Sequence, residues 1–172
     1  MAALRANFQS REWRRDGYLI TTDSSPIPLP RLVEVFNSKE FYWANAMPLG
    51  QMQDMLENSL CFSLFRDNGG KNDFLGFARC ITDYTTFLYM TDVWVDPAVQ
   101  GKGLGRWMVQ CVQQIIEEIP HLRRSLLFTS SREKSVPFYQ KYMDMTVIES
   151  KFGDGPIIME RKGPGNPKYK RN

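Results

Sequence analysis

Val93-Trp94-Val95-Asp96-Pro97-Ala98-Val99-Gln100-Gly101-Lys102-Gly103-Leu104-Gly105-Arg106 carries the chain from one kind of order into another. Val93 and Val95 close an apolar run of strand composition, and from Leu104 onward the apolar residues keep the three-four spacing of an amphipathic helix. A glycine-rich turn that delivers a strand into a helix N-terminus leaves backbone N–H groups unpaired and pointing outward, a nest that attracts a di- or triphosphate. Gly101, Gly103 and Gly105 remove Cβ atoms where an anion must come close, and Lys102 and Arg106 add positive charge beside it. The spacing narrows the ligand. No G-x-x-x-x-G-K-[ST] string occurs, and the alternate glycines lie late in the domain rather than as G-x-G-x-x-G after a first strand, so both common nucleotide loops are disfavoured. A tight strand-to-helix turn without any ligand is the competing reading.

Working outward, Leu104 to Ile119 places Leu104, Trp107, Met108, Cys111, Val112, Ile115, Ile116 and Ile119 on one helical stripe, stopped by Pro120. Upstream, Leu60 to Arg66, Phe74 to Thr82 and Thr86 to Val95 read as three strands of an antiparallel meander, separated by a Gly/Asn-rich turn and by Asp83-Tyr84. Downstream, Ser125 to Thr129 is a buried strand reached across the helix, making a parallel βαβ unit. Tyr18 to Thr22 reads as a first strand, Arg31 to Asn37 and Pro48 to Asn58 as two helices after it. Lys134 to Met143 reads as a short helix, with Thr146 to Ser150 and Pro156 to Arg161 as closing strands. The expected fold is α+β, a single mixed central sheet of about seven strands flanked by about four helices. Residues 1–162 form one domain in this reading, and 163–172 a basic Gly/Pro-rich tail. Phe41-Tyr42-Trp43, in a connector, is assigned to core packing, with a substrate-pocket wall as the minor alternative.

Composition removes other classes. The 172 residues, 42% hydrophobic and 24% charged, are ordinary globular usage. No apolar run approaches the roughly 20 residues that span a bilayer, and Met1 to Phe8 lacks a secretory h-region, so a cytoplasmic protein without a membrane partner is expected. A net charge of +3 gives no footprint for nucleic acid. Cys61, Cys80 and Cys111 form no CxxC pair, and all three lie in apolar stretches, so neither a disulfide framework nor a metal site is expected. The single histidine, His121, follows the long helix in a polar connector and is a poor candidate for a hydrolase triad.

Gln100, Gly103 and Gly105 match the Q/R-x-x-G-x-G/A motif, and in its setting after a V-x-V strand the sequence resembles the GNAT superfamily of acyl-CoA N-acyltransferases. Phe41-Tyr42-Trp43-Ala44, Asn58-Ser59-Leu60-Cys61-Phe62, Gly76-Phe77-Ala78-Arg79 and Thr82-Asp83-Tyr84 look like a microbial branch whose substrates are poorly assigned. The resemblance runs from about Tyr18 to Arg161. It implies acetyl-CoA as co-substrate and a wedge where the strand ending at Val95 and the strand from Ser125 splay apart. Backbone groups of Val93, Trp94 and Val95 would take the pantetheine, and Gln100, Gly101, Lys102, Gly103, Leu104, Gly105 and Arg106 the pyrophosphate. Phe138-Tyr139-Gln140-Lys141-Tyr142-Met143-Asp144-Met145 resembles the family's F/L-Y-E-K-x-L-G-F/M string, which puts Tyr139 at the tyrosine that protonates the departing thiolate. Tyr142 is the fallback. Asp144 stands where the family has glycine, and the asparagine common before this helix is missing.

The chemistry implied is acetyl transfer to a primary amine by direct attack. An alkylammonium of pKa near 10 needs roughly 4 kcal/mol for deprotonation at pH 7, so a base or water chain must contribute. Asp92 and Asp96 are the acidic candidates beside the CoA strand; Asp92 is taken as base or water organiser, with a strand-end hydrogen-bonding role as the alternative. Tyr89 occupies the position where protein-modifying relatives carry glutamate, and Tyr42, Trp43, Tyr84 and Trp94 favour a small-molecule amine. The rival readings are an acyl-CoA-binding regulatory module and a protein or peptide lysine acetyltransferase; a homodimer is left open.

Overall fold

The computed structural model describes residues 2–67, 73–129 and 133–148, with side chains from residue 5 onward. A short helix, α1 (Ala2–Phe8), leads into a hairpin of β1 (Glu12–Arg15) and β2 (Tyr18–Thr21). Asp16 and Gly17 turn it with φ of 50° and 76°, the paired left-handed conformation whose twist suits a two-residue hairpin. Helices α2 (Leu29–Phe36) and α3 (Leu49–Glu57) follow, then β3 (Leu60–Arg66), β4 (Asp73–Thr82) and β5 (Phe87–Val95). The long helix α4 (Leu104–Glu118) crosses to β6 (Arg124–Leu127), and α5 (Ser135–Met143) comes last among the described elements.

Among the described residues the strands lie in chain order in one six-stranded sheet, antiparallel throughout except for the parallel β5–β6 pair. This is the expected meander and crossover, with two differences in strand count. β1 was not expected; its residues Glu12, Trp13, Arg14 and Arg15 are alternately exposed and half-buried at a sheet edge, without the apolar run that marks an inner strand. Residues 146–148 form no strand, and the rest of the closing strands expected at Thr146 to Ser150 and Pro156 to Arg161, like the tail 163–172, lies outside the described residues.

Both faces of the sheet are covered. On one, Ile20, Leu60, Phe62, Leu64, Leu88 and Met90 pack against Phe8 of α1, the inward stripe of α4, and Met143 of α5. On the other, Cys61, Phe65, Phe77 and Trp94 pack against Leu32, Val35 and Phe36 of α2 and Met52 and Leu56 of α3. That double cover is why β3 is buried along nearly its whole length. Each fully buried large apolar side chain, such as Phe62 or Phe77, contributes about 1.5–3 kcal/mol relative to an exposed one. All three cysteines are buried as expected.

Helix α5 ends on Asp144, which adopts the left-handed conformation (φ 50°, ψ 32°) that the family's glycine would supply. The N–H groups of Asp144 and Met145 both point back to the Tyr139 carbonyl. Because a side chain in this conformation is strained while glycine is not, Asp144→Gly should raise Tm by about 2 °C, and Asp144→Val should lower it. Thermal melts of the full chain followed by circular dichroism check both signs.

Candidate active site

The centre of the site is an irregularity in β5. Thr91 pairs with Arg79 and Trp94 with Phe77, so Asp92 and Val93 together face Ala78: a β-bulge. Asp92 carries the bend at φ 54°. The extra residue reverses the faces of the strand. Leu88 and Met90 point to the α4 side, but beyond the bulge Val93 and Val95 take that side and Trp94 turns to α2 and α3. On its other edge β5 pairs with β6 only from Phe87 to Met90; among the described residues, nothing pairs with Thr91 to Val95 there. This unpaired edge at the bulge is the wedge expected between the two strands.

Directly after it, Asp96 accepts from the N–H of Ala98 (2.9 Å) and caps a single turn at Pro97–Val99, while Arg31 donates to its other oxygen (3.3 Å). Gln100 Nε2 donates to the Val95 carbonyl (3.0 Å) and ties the loop to the strand end. Gly101 and Gly103 have φ of 83° and 74°, and Gly103 is the N-cap of α4 with no side chain closing the helix start. The first-turn N–H groups of a fifteen-residue helix therefore face the loop with the positive end of its dipole. Lys102 and Arg106 are exposed, and among the described residues neither is paired with a carboxylate.

A cavity of about 630 Å³ opens over this loop, lined by Val95, residues 100–106, Phe138 and Tyr142. Thus every loop residue singled out from the sequence lines one groove, together with Val95. Phe138 and Tyr142, one helical turn apart on α5, form its other wall; Phe138 was not anticipated. Tyr142 lies beneath the Arg106 guanidinium, 5.7 Å from its ring centroid, and the hydrogen bond from Arg106, with the charges of Lys141 and Arg106, lowers its phenol below the ordinary value. Tyr139, three residues before Tyr142 on the same helix, is half-buried against the core, and burial pushes its phenol up.

Asp92 is buried and accepts hydrogen bonds at both carboxylate oxygens. Arg79 Nε donates to Oδ2 (2.7 Å), while Trp43 Nε1 and Thr91 Oγ1 donate to Oδ1 (both 3.3 Å). Arg79 also donates to Ser59 Oγ (3.2 Å). Sequence reading did not single out Arg79, although an arginine inside the apolar run Phe74 to Thr82 needs a buried partner. Of the aromatic connector, Phe41 is core, stacked on Phe36 at 4.2 Å, whereas Tyr42 is 65% exposed and Trp43 37%. Trp94 is buried against Phe74, and Tyr84 sits in the β4–β5 turn beneath Arg5. Tyr89 meets Phe128 with ring centroids 5.5 Å apart.

The bulged strand, the glycine-capped helix and the groove between them lie on one mixed sheet. The Acetyltransferase (GNAT) family model matches residues 29–145. A protein of Gibberella zeae named as a "putative acetyltransferase" is 32% identical in an alignment 136 residues long that covers 71% of this chain and 77% of that protein. A crystal structure from Xanthomonas campestris, titled a "putative acetyltransferase" of the GNAT family, superposes with a TM-score of 0.64 at 29% identity, covering 88% of this chain and 97% of that one. A GNAT-family acetyltransferase structure from Streptococcus pneumoniae shares the fold at 18% identity, with a TM-score of 0.58 over 84% and 98% of the two chains. The chain belongs to the GNAT acetyltransferase family, whose members use acetyl-CoA as co-substrate.

Substitutions at Gly105 and Gly103 differ in their expected effect on folding. An added Cβ at Gly105 would meet Val95 Cγ2 at 3.5 Å, an ordinary contact, so Gly105→Ala should leave Tm unchanged or higher while weakening CoA binding in calorimetry by filling the gap between helix and strand. Gly103→Val, at a left-handed φ, should lower both, with a stability loss of about 1–2 kcal/mol.

Proposed function

We propose that the protein transfers the acetyl group of acetyl-CoA to the primary amine of a small molecule, by direct attack in a ternary complex and without a metal. The observation that carries the proposal is the groove at the unpaired end of β5, floored by the glycine-capped start of α4 and flanked by Lys102 and Arg106. In this reading the loop from Gln100 to Arg106 holds the pyrophosphate, and backbone groups of Val93, Trp94 and Val95 hold the pantetheine as an added strand would. Backbone N–H near the bulge polarises the thioester carbonyl. The exposed edge formed by Tyr42 and Trp43 supports a small aromatic or alkyl amine as acceptor on the far side of the wedge. Asp92 serves as organiser of that junction; with both oxygens occupied it holds the bulge and leaves the acceptor proton to water. Thiol release from acetyl-CoA, measured across a panel of small amines and lysine peptides, tests the acceptor class: turnover confined to peptides would overturn the small-molecule reading.

A covalent acyl-cysteine route has little support. Burial pushes the Cys61 and Cys111 thiols up to about 12 and Cys80 higher still, so none offers a thiolate near neutrality. Initial-rate plots with both substrates varied should therefore intersect; parallel lines, or an acetylated cysteine trapped with acetyl-CoA alone, would show the covalent route.

Tyr139 is the acid proposed for the departing thiolate, and the two tyrosines of α5 differ in the sign of their shifts. An acid works only while protonated. If Tyr139 acts, the alkaline fall in kcat belongs above pH 10, the ordinary phenol value, because burial raises it. If Tyr142 acts, the fall begins below that value, because Arg106 lowers it. Tyr139→Phe should reduce kcat by about tenfold or more with CoA affinity little changed. An unchanged kcat, with an alkaline limb starting below pH 10, would transfer the role to Tyr142.

A further inference from the structure

The group around Asp92 joins three separate parts of the chain. Arg79 comes from β4, Asp92 from the bulge of β5, and Trp43 from the connector between α2 and α3, with Ser59 just before β3 as a fourth contact. The Arg79 and Asp92 side chains are 15% and 5% exposed, so the pair is held out of water. A carboxylate in that position is stable only while its partners stay in place. Asp92 is also the residue in the left-handed conformation, at the one point where the face of β5 reverses and its pairing with β6 has stopped. The side-chain bonds and the backbone bend thus belong to the same residue.

We infer that Arg79 and Trp43 are positioning residues: by gripping the two carboxylate oxygens of Asp92 they lock the β5 bulge, and with it the direction in which Val93 and Val95 present their backbone to the pantetheine arm. This rests on the acetyl-CoA reading above. The lock acts on the strand and not on the loop, which has its own ties in Gln100 and the Asp96-capped turn. Loosening it leaves the pyrophosphate seat intact and misdirects the strand edge beside it. Trp43 contributes a second property, because its ring is part of the exposed Tyr42–Trp43 edge while its N–H ends on Asp92. The connector on the acceptor side is thereby fastened to the CoA strand through one hydrogen bond.

The test compares two ligands by calorimetry on the full chain: CoA, and its pyrophosphate-bearing nucleotide half, which lacks pantetheine. Trp43→Phe, which keeps a ring and removes the donor, Arg79→Met and Asp92→Asn should each weaken CoA by about tenfold while the nucleotide half changes by less than about twofold. Arg79→Lys should restore part of the loss, since it returns the charge without the guanidinium fork. Trp43→Phe combined with Asp92→Asn should lose less than the sum of the two, because both break the same contact. Folded variants that bind CoA as the wild type does would overturn the lock, as would equal loss for both ligands, which a general loosening of the fold produces. Wild-type protein that binds neither ligand would overturn the acetyl-CoA reading together with it. Trp43→Phe removes no buried charge, so it keeps the question answerable if the Arg79 and Asp92 variants fail to fold.

Discussion

The arrangement of the site turns on one residue in an unusual backbone conformation held by a buried ion pair. A regular strand through residues 87–95 would keep the same set of side chains on the α4 side from end to end, because side-chain direction alternates with a period of two. Asp92 breaks that rule. By taking a left-handed φ and sharing the place opposite Ala78 with Val93, it moves Val93 and Val95 to the α4 side and sends Trp94 into the opposite core. Without this step Val95 would not line the groove beside the glycine loop. A non-glycine residue in this conformation costs free energy that its surroundings must offset, and Arg79 and Trp43 are the groups placed to do so.

The glycine loop and the bulge divide the work. As the pyrophosphate seat of the proposed function, the loop would draw on backbone N–H groups and a helix dipole, and so on conformation more than on side-chain identity. The bulge supplies a strand edge that, among the described residues, is unpaired where β6 has ended. An edge of this kind in an inner strand is costly in a compact domain unless a ligand or another segment satisfies it. Its location next to the loop, with no more than the capped turn at Pro97–Val99 between, makes the two halves one groove.

The two tyrosines of α5 show how neighbouring residues on one helix face different media. Tyr142 and Phe138 look into the groove, and Tyr142 shares its hydroxyl with Arg106; Tyr139 turns toward the core and is raised by burial. Their opposite shifts have separate causes, burial for Tyr139 and the Arg106 hydrogen bond with the neighbouring positive charges for Tyr142.

The amino-acid sequence by itself determined the parts whose order is local. The strand-to-helix change at Gln100 to Gly105, the stripe of α4, the three-strand meander and the buried cysteines follow from periodicity and turn composition, which act over neighbouring residues. The first hairpin was also written there, as the Asp16-Gly17 pair, but the charged edge strand Glu12–Arg15 lacked the apolar alternation that would have exposed it. What only the tertiary structure decided is long-range. That Arg79 meets Asp92, that Trp43 reaches across 49 positions to the same carboxylate, and that Tyr142 rather than Tyr139 borders the groove depend on how distant elements pack. No pattern within a segment records a partner on another, and the bulge that redirects β5 leaves the alternation of buried and half-buried residues unbroken because helices cover both faces of the sheet.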